Sequence, residues 1–264
     1  MESMVSNKIL LLGAGKLAWH LGPALRRAGY DIRQVYSRSK ESARSLAREL
    51  EAEWTTDPGE LSEDAEILLF CLKDSAVREF PCFIELKKRV MMIHTAGSLP
   101  MDIFKGISTH YGVLYPMMTF TRERSIDLSG VPFCIEGSDP ETTTFLESMA
   151  ASISKRVYRL NSAQRQILHI AGIIASNFPN HMYHLAAGIL EEADLDFGLL
   201  GPLILETAAK AVDIGPEAAQ TGPASRNDEG IIREHIELLK DRPELQKIYT
   251  FVSNSIINHN RPDE

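Results

Sequence analysis

One six-residue stretch limits the possible folds more than any other. Gly13-Ala14-Gly15-Lys16-Leu17-Ala18 follows directly on the apolar run Ile9-Leu10-Leu11-Leu12 and opens an amphipathic helical pattern. This is the G-x-G-x-x-A arrangement. Its first glycine permits a tight turn, its second lets a pyrophosphate approach the backbone, and its small last residue lets the helix pack on the strand. The pyrophosphate then sits at a helix N-terminus, where free N–H groups and the helix dipole favour negative charge. Gly13, Ala14, Gly15, Lys16 and Leu17 are the first expected cofactor contacts. A bare motif would also fit a ligand-free glycine turn, but the strand before it and the helix after it favour a dinucleotide.

The end of the second strand selects the cofactor. NAD-binding folds usually place an acid there to bond the ribose hydroxyls. Here Val35-Tyr36 runs into Ser37-Arg38-Ser39, with no carboxylate before Glu41. An arginine and two hydroxyls suit a ribose 2′-phosphate, which a carboxylate would repel. The expectation is NADP(H), bound by Ser37, Arg38 and Ser39; the alternative is that Arg38 is a solvated loop arginine.

Apolar runs alternate with helical patterns through residue 160, which predicts a parallel α/β sheet. Strands are expected at 8–13, 31–37, 67–72, 90–94, 109–114, 131–136 and 156–160, and helices at 17–28, 40–50 and 140–154. The strands do not alternate in polarity, as expected where helices cover both faces of a sheet. After Asn161 strand signals disappear. Residues 164–192 read as one long helix, apolar over much of its circumference, with further helices at 201–212, 229–240 and 243–258. The expected architecture is a doubly wound Rossmann domain (1–160) followed by an all-helical domain (161–264). A helix apolar nearly all round must be buried on several sides, so a homodimer through the helical domain is expected.

The 28 Lys and Arg residues against 36 Asp and Glu give a formal charge of −8, which argues against a nucleic-acid partner. Splitting the chain at Leu160 leaves 20 basic and 21 acidic residues before it and 8 and 15 after it. The acidity therefore sits in the helical part. The longest apolar run, 67–72, is far below the roughly 18–20 residues needed to span a bilayer, and Met1–Asn7 lacks the features of a signal peptide. Cys71, Cys82 and Cys134 are an odd count without metal-ligand spacing and read as reduced, buried thiols. Together these features predict a cytoplasmic protein without a membrane partner.

The Rossmann turn, the Ser-Arg-Ser after the second strand and the helical C-terminal part resemble the 6-phosphogluconate-dehydrogenase-like superfamily. More specifically, five stretches resemble the Rossmann-like NADP oxidoreductases that carry a DUF2520 C-terminal domain. They are Cys71-Leu72-Lys73-Asp74, His94-Thr95-Ala96-Gly97-Ser98, Tyr115-Pro116-Met117-Met118-Thr119-Phe120, Ser176-Asn177-Phe178-Pro179-Asn180-His181 and 221–228. The resemblance covers essentially the whole chain and implies fold and cofactor while leaving the substrate open.

Leu72 and Lys73 leave the third strand where ligands bind in doubly wound folds, so they are expected beside the riboses; an ordinary polar helix start fits equally well. Thr95 and Ala96 leave the next strand, where small residues let the backbone approach a nicotinamide ring. Ser98 follows as a candidate hydrogen-bond donor to substrate, and His94 reads as a core histidine satisfied by backbone. Tyr115-Pro116-Met117 resembles the His-Pro-Met of prephenate dehydrogenases with tyrosine in place of histidine. Tyr115 fits either a substrate donor or a core aromatic.

Asn177, Asn180 and His181 have i, i+3, i+4 spacing on the long helix, which places them on one face. Buried polar clusters need partners or a cavity. Many related β-hydroxyacid dehydrogenases place a lysine four residues before an asparagine; here Ile173 and Ser176 stand at the equivalent positions. Asn177, Ser98 and His181 are the candidate catalytic residues, with His181 the leading proton donor. The substrate pocket is expected between these residues and 96–98. No metal is expected at His181 and His184, since no carboxylate or cysteine completes a site. In 221–228, Asn227-Asp228 reads as an N-cap, and Arg226 is available for an anionic group. The expected activity is hydride transfer between nicotinamide and a small carbonyl, imine or alcohol. A non-catalytic NADP(H)-binding dimer and a prephenate-dehydrogenase-like enzyme are the alternatives.

Overall fold

The computed structural model describes residues 7–80 and 90–259; Cys82 lies outside them. Eight strands form one sheet: β1 (Lys8–Leu12), β2 (Asp31–Tyr36), β3 (Glu53–Thr55), β4 (Ile67–Phe70), β5 (Met91–His94), β6 (Tyr111–Pro116), β7 (Phe133–Gly137) and β8 (Val157–Arg159), in the order β3-β2-β1-β4-β5-β6-β7-β8. Helices α1 (Ala18–Arg27), α2 (Lys40–Leu50), α3 (Asp74–Glu79) and α4 (Pro140–Ala151) lie between strands. The chain turns back across β1, which is flanked by β2 and β4. Ligands of such sheets bind at this switch point, outside the strand C-termini.

Both faces of the sheet are buried, which explains the unbroken apolar strands. Ile9 and Leu11 of β1 pack into one core with Leu21, Leu25, Leu46 and Leu50. Leu10 and Leu12 point the other way, into a core with Phe70, Val77, Phe80 and Phe104.

The sheet is not wholly parallel. β7 runs antiparallel to β6, because residues 117–132 contain no helix longer than the three-residue turn Leu128–Gly130. A parallel return needs a crossover unit, whereas an antiparallel one does not. The expected helix at 164–192 also differs. It starts earlier as α5 (Ser162–Gly172), widens into a π-helical stretch (Ile173–Asn177) and resumes as α6 (Phe178–Glu192). Pro179 has no N–H for the i−4 ladder, and the widened turn immediately precedes it.

By compactness the chain forms two units, Met1–Asn177 and Phe178–Glu264, although the last strand ends at Arg159. The second unit contains α6, α7 (Gly201–Asp213), the short α8 (Pro216–Ala219), α9 (Glu229–Leu238) and α10 (Pro243–His259). Asp228 caps α9 through the Ile231 N–H, as its position implied. Neither α6 nor α7 has a buried residue in the single chain.

Candidate active site

The glycine turn is wedged between the ends of β2 and β4. Gly13 adopts φ +109, its N–H donates to the Tyr36 carbonyl at 2.8 Å, and a Cβ there would lie 2.4 Å from the Cys71 carbonyl oxygen. Any side chain would collide with backbone, so glycine is obligatory. Gly15 is exposed, and a Cβ added to it meets nothing within 4 Å. Ala14 is buried beneath the turn, and Ala18 is fully buried where α1 packs on the sheet. Lys16 is exposed and Leu17 half-buried.

The start of α1 is open. Leu17 stands at its N-cap without a side-chain hydrogen bond, and the first turn contains no acid. By contrast Ser39, Asp139, Asn161 and Asp228 cap α2, α4, α5 and α9. Helix N-termini present N–H groups short of partners; here the Trp19 N–H reaches the Gly15 carbonyl at 3.3 Å and the His20 N–H the Leu17 carbonyl at 3.0 Å, while the space beside Gly15 is open. A dinucleotide pyrophosphate fits this arrangement.

At the end of β2, both serines shape the turn. Ser39 Oγ accepts from the Ser42 N–H and Ser37 Oγ from the Ser39 N–H, each at 3.3 Å. Arg38 is exposed, with no carboxylate partner among the described residues.

The loops after β4 and β5 continue the ledge. Burial pushes the half-buried Cys71 thiol up to about 12, against a lowering contact from the Thr95 hydroxyl. Thr95 is buried, and its hydroxyl and N–H both donate to the Phe70 carbonyl, at 3.0 and 3.2 Å. This ties the two loops together but commits the Thr95 side chain to structure. Leu72 packs against the second core, Lys73 is exposed at the N-cap of α3, and Ala96 is buried. Ser98 donates its hydroxyl to the Asp74 carboxylate.

His94 is fully buried; its Nδ1 accepts from the Ala96 N–H at 3.2 Å, but Nε2 makes no hydrogen bond. The expected backbone satisfaction is therefore only half met. Burial, then the Arg165 and Arg78 charges, hold its pKa down at about 3, opposed by the nearby Pro100 backbone, whose approach to Nε2 falls short of a hydrogen bond.

The structure adds a histidine that the sequence reading missed. The Tyr115 hydroxyl shares a 3.2 Å hydrogen bond with His169 Nδ1 and lies 3.3 Å from the Met117 sulfur. A Cβ on Gly97 would lie 2.7 Å from both His169 Nδ1 and Tyr115 Cζ, so the pair closes directly over the β5 loop. Burial first, then the nearby Cys134 and Asp74, raise the Tyr115 pKa above its ordinary value against the lowering influence of Arg165. The hydroxyl is thus a protonated donor across the neutral range.

Helix α5 holds this corner through one polar face. Gln166 Nε2 donates to the Ser98 carbonyl at 3.0 Å. Arg165, 1% exposed, donates to Glu136 and to the Leu99 carbonyl, both at 2.5 Å. Ser162, Arg165, Gln166 and His169 fall at i, i+3, i+4 and i+7, a polar stripe that would have pointed to His169.

Asn177 ends the π-helical stretch and is exposed. In the second unit, Asn180 and His181 on α6 are exposed, and the His181 ring stacks 6.2 Å from that of His184. A separate apolar cavity of about 270 Å³ there is lined by Met182, Pro223, Tyr249 and Val252 among others.

Two family models match the sequence: "NADP oxidoreductase coenzyme F420-dependent" over residues 8–96 and the domain of unknown function DUF2520 over 131–256. The crystal structure of a "putative NADP oxidoreductase" from Bacteroides fragilis is 45% identical, with a TM-score of 0.91 over 96% of this chain and 98% of that one. The chain belongs to this family of DUF2520-bearing NADP oxidoreductases. Protein TM1727 from Thermotoga maritima (22% identity, TM-score 0.75, 93% of this chain and 99% of that one) shares the fold. So does a reductive aminase from Aspergillus terreus solved with NADPH and ethyl-5-oxohexanoate (15%, 0.69, 97% and 95%). No curated protein matches the sequence. Among the described residues, no helix is long and apolar enough to cross a membrane. The DUF2520-bearing chain is a nicotinamide-dinucleotide oxidoreductase.

Proposed function

We propose that this oxidoreductase uses NADP(H) to reduce a small carbonyl or imine, or to run the reverse reaction on the alcohol or amine, with Tyr115 handling the proton. The observation that carries the reading is the Tyr115–His169 hydrogen bond packed against Gly97, at the C-terminal edge of the sheet. The cofactor, when bound, supplies or accepts the hydride. The open turn 13–17 would take its pyrophosphate, and Arg38 with Ser37 and Ser39 its 2′-phosphate. Leu72, Lys73, Thr95 and Ala96 would form the ledge along the riboses and nicotinamide. The family's description as NADP oxidoreductases and the NADPH bound to the Aspergillus terreus reductive aminase support this choice of cofactor.

Hydride addition to a carbonyl leaves an alkoxide that needs a proton. Tyr115 can give one and recover it through His169. Ser98 and Asn177 are proposed as polar groups that meet the substrate, and His181 is the competing candidate for proton donor. The hydrogen bond already joining Tyr115 to His169 favours the pair. Loss of nicotinamide absorbance with ketones, alone and with amines, tests the reading; His181→Gln and Tyr115→Phe then identify the donor.

A homodimer through the helical unit is part of the proposal, supported by the uncovered apolar residues of α7. A cytoplasmic location is supported by the unbridged Cys71 and Cys134.

A further inference from the structure

The turn expected to hold the pyrophosphate has an arginine fixed beside it that the fingerprint motif does not include. Arg122 Nη2 donates to the Ala14 carbonyl at 2.7 Å, and its guanidinium carbon lies 5.1 Å from the centre of the Trp19 ring. Ala14 is the middle residue of the glycine turn and Trp19 belongs to the first turn of α1. Arg122 reaches them from the segment between β6 and β7. Two more contacts fix that segment on α1: His20 Nε2 donates to the Thr121 carbonyl at 2.7 Å, and the His20 and Phe120 rings lie 5.3 Å apart.

Arg122 is exposed, and its contacts leave most of its donors free for a ligand. A guanidinium has five N–H donors in a rigid fork that matches pairs of phosphate oxygens. One donor is used here, on a neutral carbonyl. Among the described residues no carboxylate pairs with Arg122, and the adjacent Glu123 instead accepts from the Thr121 hydroxyl. Arg122 therefore makes no ion pair beside an uncapped helix whose own first turn carries no acid, while the exposed Glu123 carboxylate lies within electrostatic reach of Lys16. Its exposure keeps the remaining donors accessible to a ligand while the Ala14 carbonyl and the Trp19 ring hold it on two sides.

We propose that Arg122 is a pyrophosphate-binding residue, keeping the Ala14 carbonyl and Trp19 face as its anchors and donating its remaining N–H groups to the dinucleotide. The proposal rests on the dinucleotide reading above and adds a contact from outside the fingerprint. Because NADPH and NADH share a pyrophosphate, Arg122 should serve both equally, whereas Arg38 should distinguish them.

The test titrates NADPH and NADH separately into the full chain, read by calorimetry and by quenching of tryptophan fluorescence. Arg122→Ala is expected to raise Kd for both by tenfold or more and by the same factor, with Arg122→Lys recovering part of the loss. If the alanine variant does not fold, the lysine variant should still weaken both at least threefold. Kd values within twofold of wild type for both cofactors would overturn the proposal and leave Arg122 as a strut between segment and helix. Loss confined to NADPH would overturn it too, moving the contact to the 2′-phosphate. A wild type that binds neither cofactor would refute the dinucleotide reading itself, and the proposal with it.

Discussion

Tyr115 and His169 lie 54 positions apart in sequence and meet through a 3.2 Å hydrogen bond. A Cβ on Gly97 would lie 2.7 Å from an atom of each ring, so a side chain there would force the pair to shift. Tyr115→Phe should therefore lower kcat by about 10²–10⁴, the range for a general acid, with NADPH affinity within twofold of wild type. His169→Gln should cost less, since Tyr115 keeps its proton. Rapid-mixing turnover and equilibrium binding check this, and a Tyr115→Phe variant at full kcat would contradict it.

Arg165 anchors α5 beneath the pair. Its partner Glu136 is also nearly buried, at 16% side-chain exposure against 1% for Arg165. Removing one member of such a pair strands the other charge at a cost of about 3–5 kcal/mol. Arg165→Met should lose about that much stability in urea, and adding Glu136→Gln should restore part. A loss under about 1 kcal/mol would show the pair to be energetically idle.

Acid should weaken the fold through His94. Burial and the flanking arginines depress its folded pKa to about 3, while the unfolded chain titrates near the ordinary 6.5 or so. The unfolded state therefore binds the proton first as pH falls. His94's share of stability is intact above the unfolded value and drains away down to the folded one, by up to about 1.4 kcal/mol per pH unit. Between pH 7 and 5 the wild type should lose about 2 kcal/mol more than His94→Gln. Parallel losses in urea melts at the two pH values would rule this out.

Helix α7 exposes Leu203, Leu205 and Val212 at 63%, 72% and 85%. Leu205 and Val212, seven positions apart, share one side of the helix; exposed apolar patches mark interaction surfaces, and a second copy is the proposed cover. Sedimentation at micromolar concentration should give a dimer, and Leu205→Glu should shift it toward monomer. A monomeric wild type would exclude the proposal.

Much of this molecule was legible from local pattern. The run Ile9–Leu12 and the six residues after it lead to the right strand, turn and helix, because that geometry is dictated within a dozen residues. The edge strand Glu53–Thr55 was invisible, being three residues long with two exposed. The antiparallel β7 was missed because polarity does not encode strand direction; the clue was the helix-free segment 117–132. Pro179 marked the break in the long helix, but apolar periodicity outweighed it. Arg122 and His169 escaped for a common reason. Each gains its meaning from partners across long sequence separations, Ala14 at 108 positions and Tyr115 at 54. No local spacing links Arg122 to the glycine turn, while the stripe through Arg165 and His169 was hidden inside an apolar helix.

Paired titrations of NADPH and NADH test the ribose-phosphate site proposed at the end of β2. Wild type is expected to bind NADPH at least tenfold more tightly than NADH. Arg38→Ala is expected to erase that preference, at a cost to NADPH of about 1.5–3 kcal/mol as for a charge-assisted hydrogen bond. Equal affinities for the two cofactors in the wild type would contradict it.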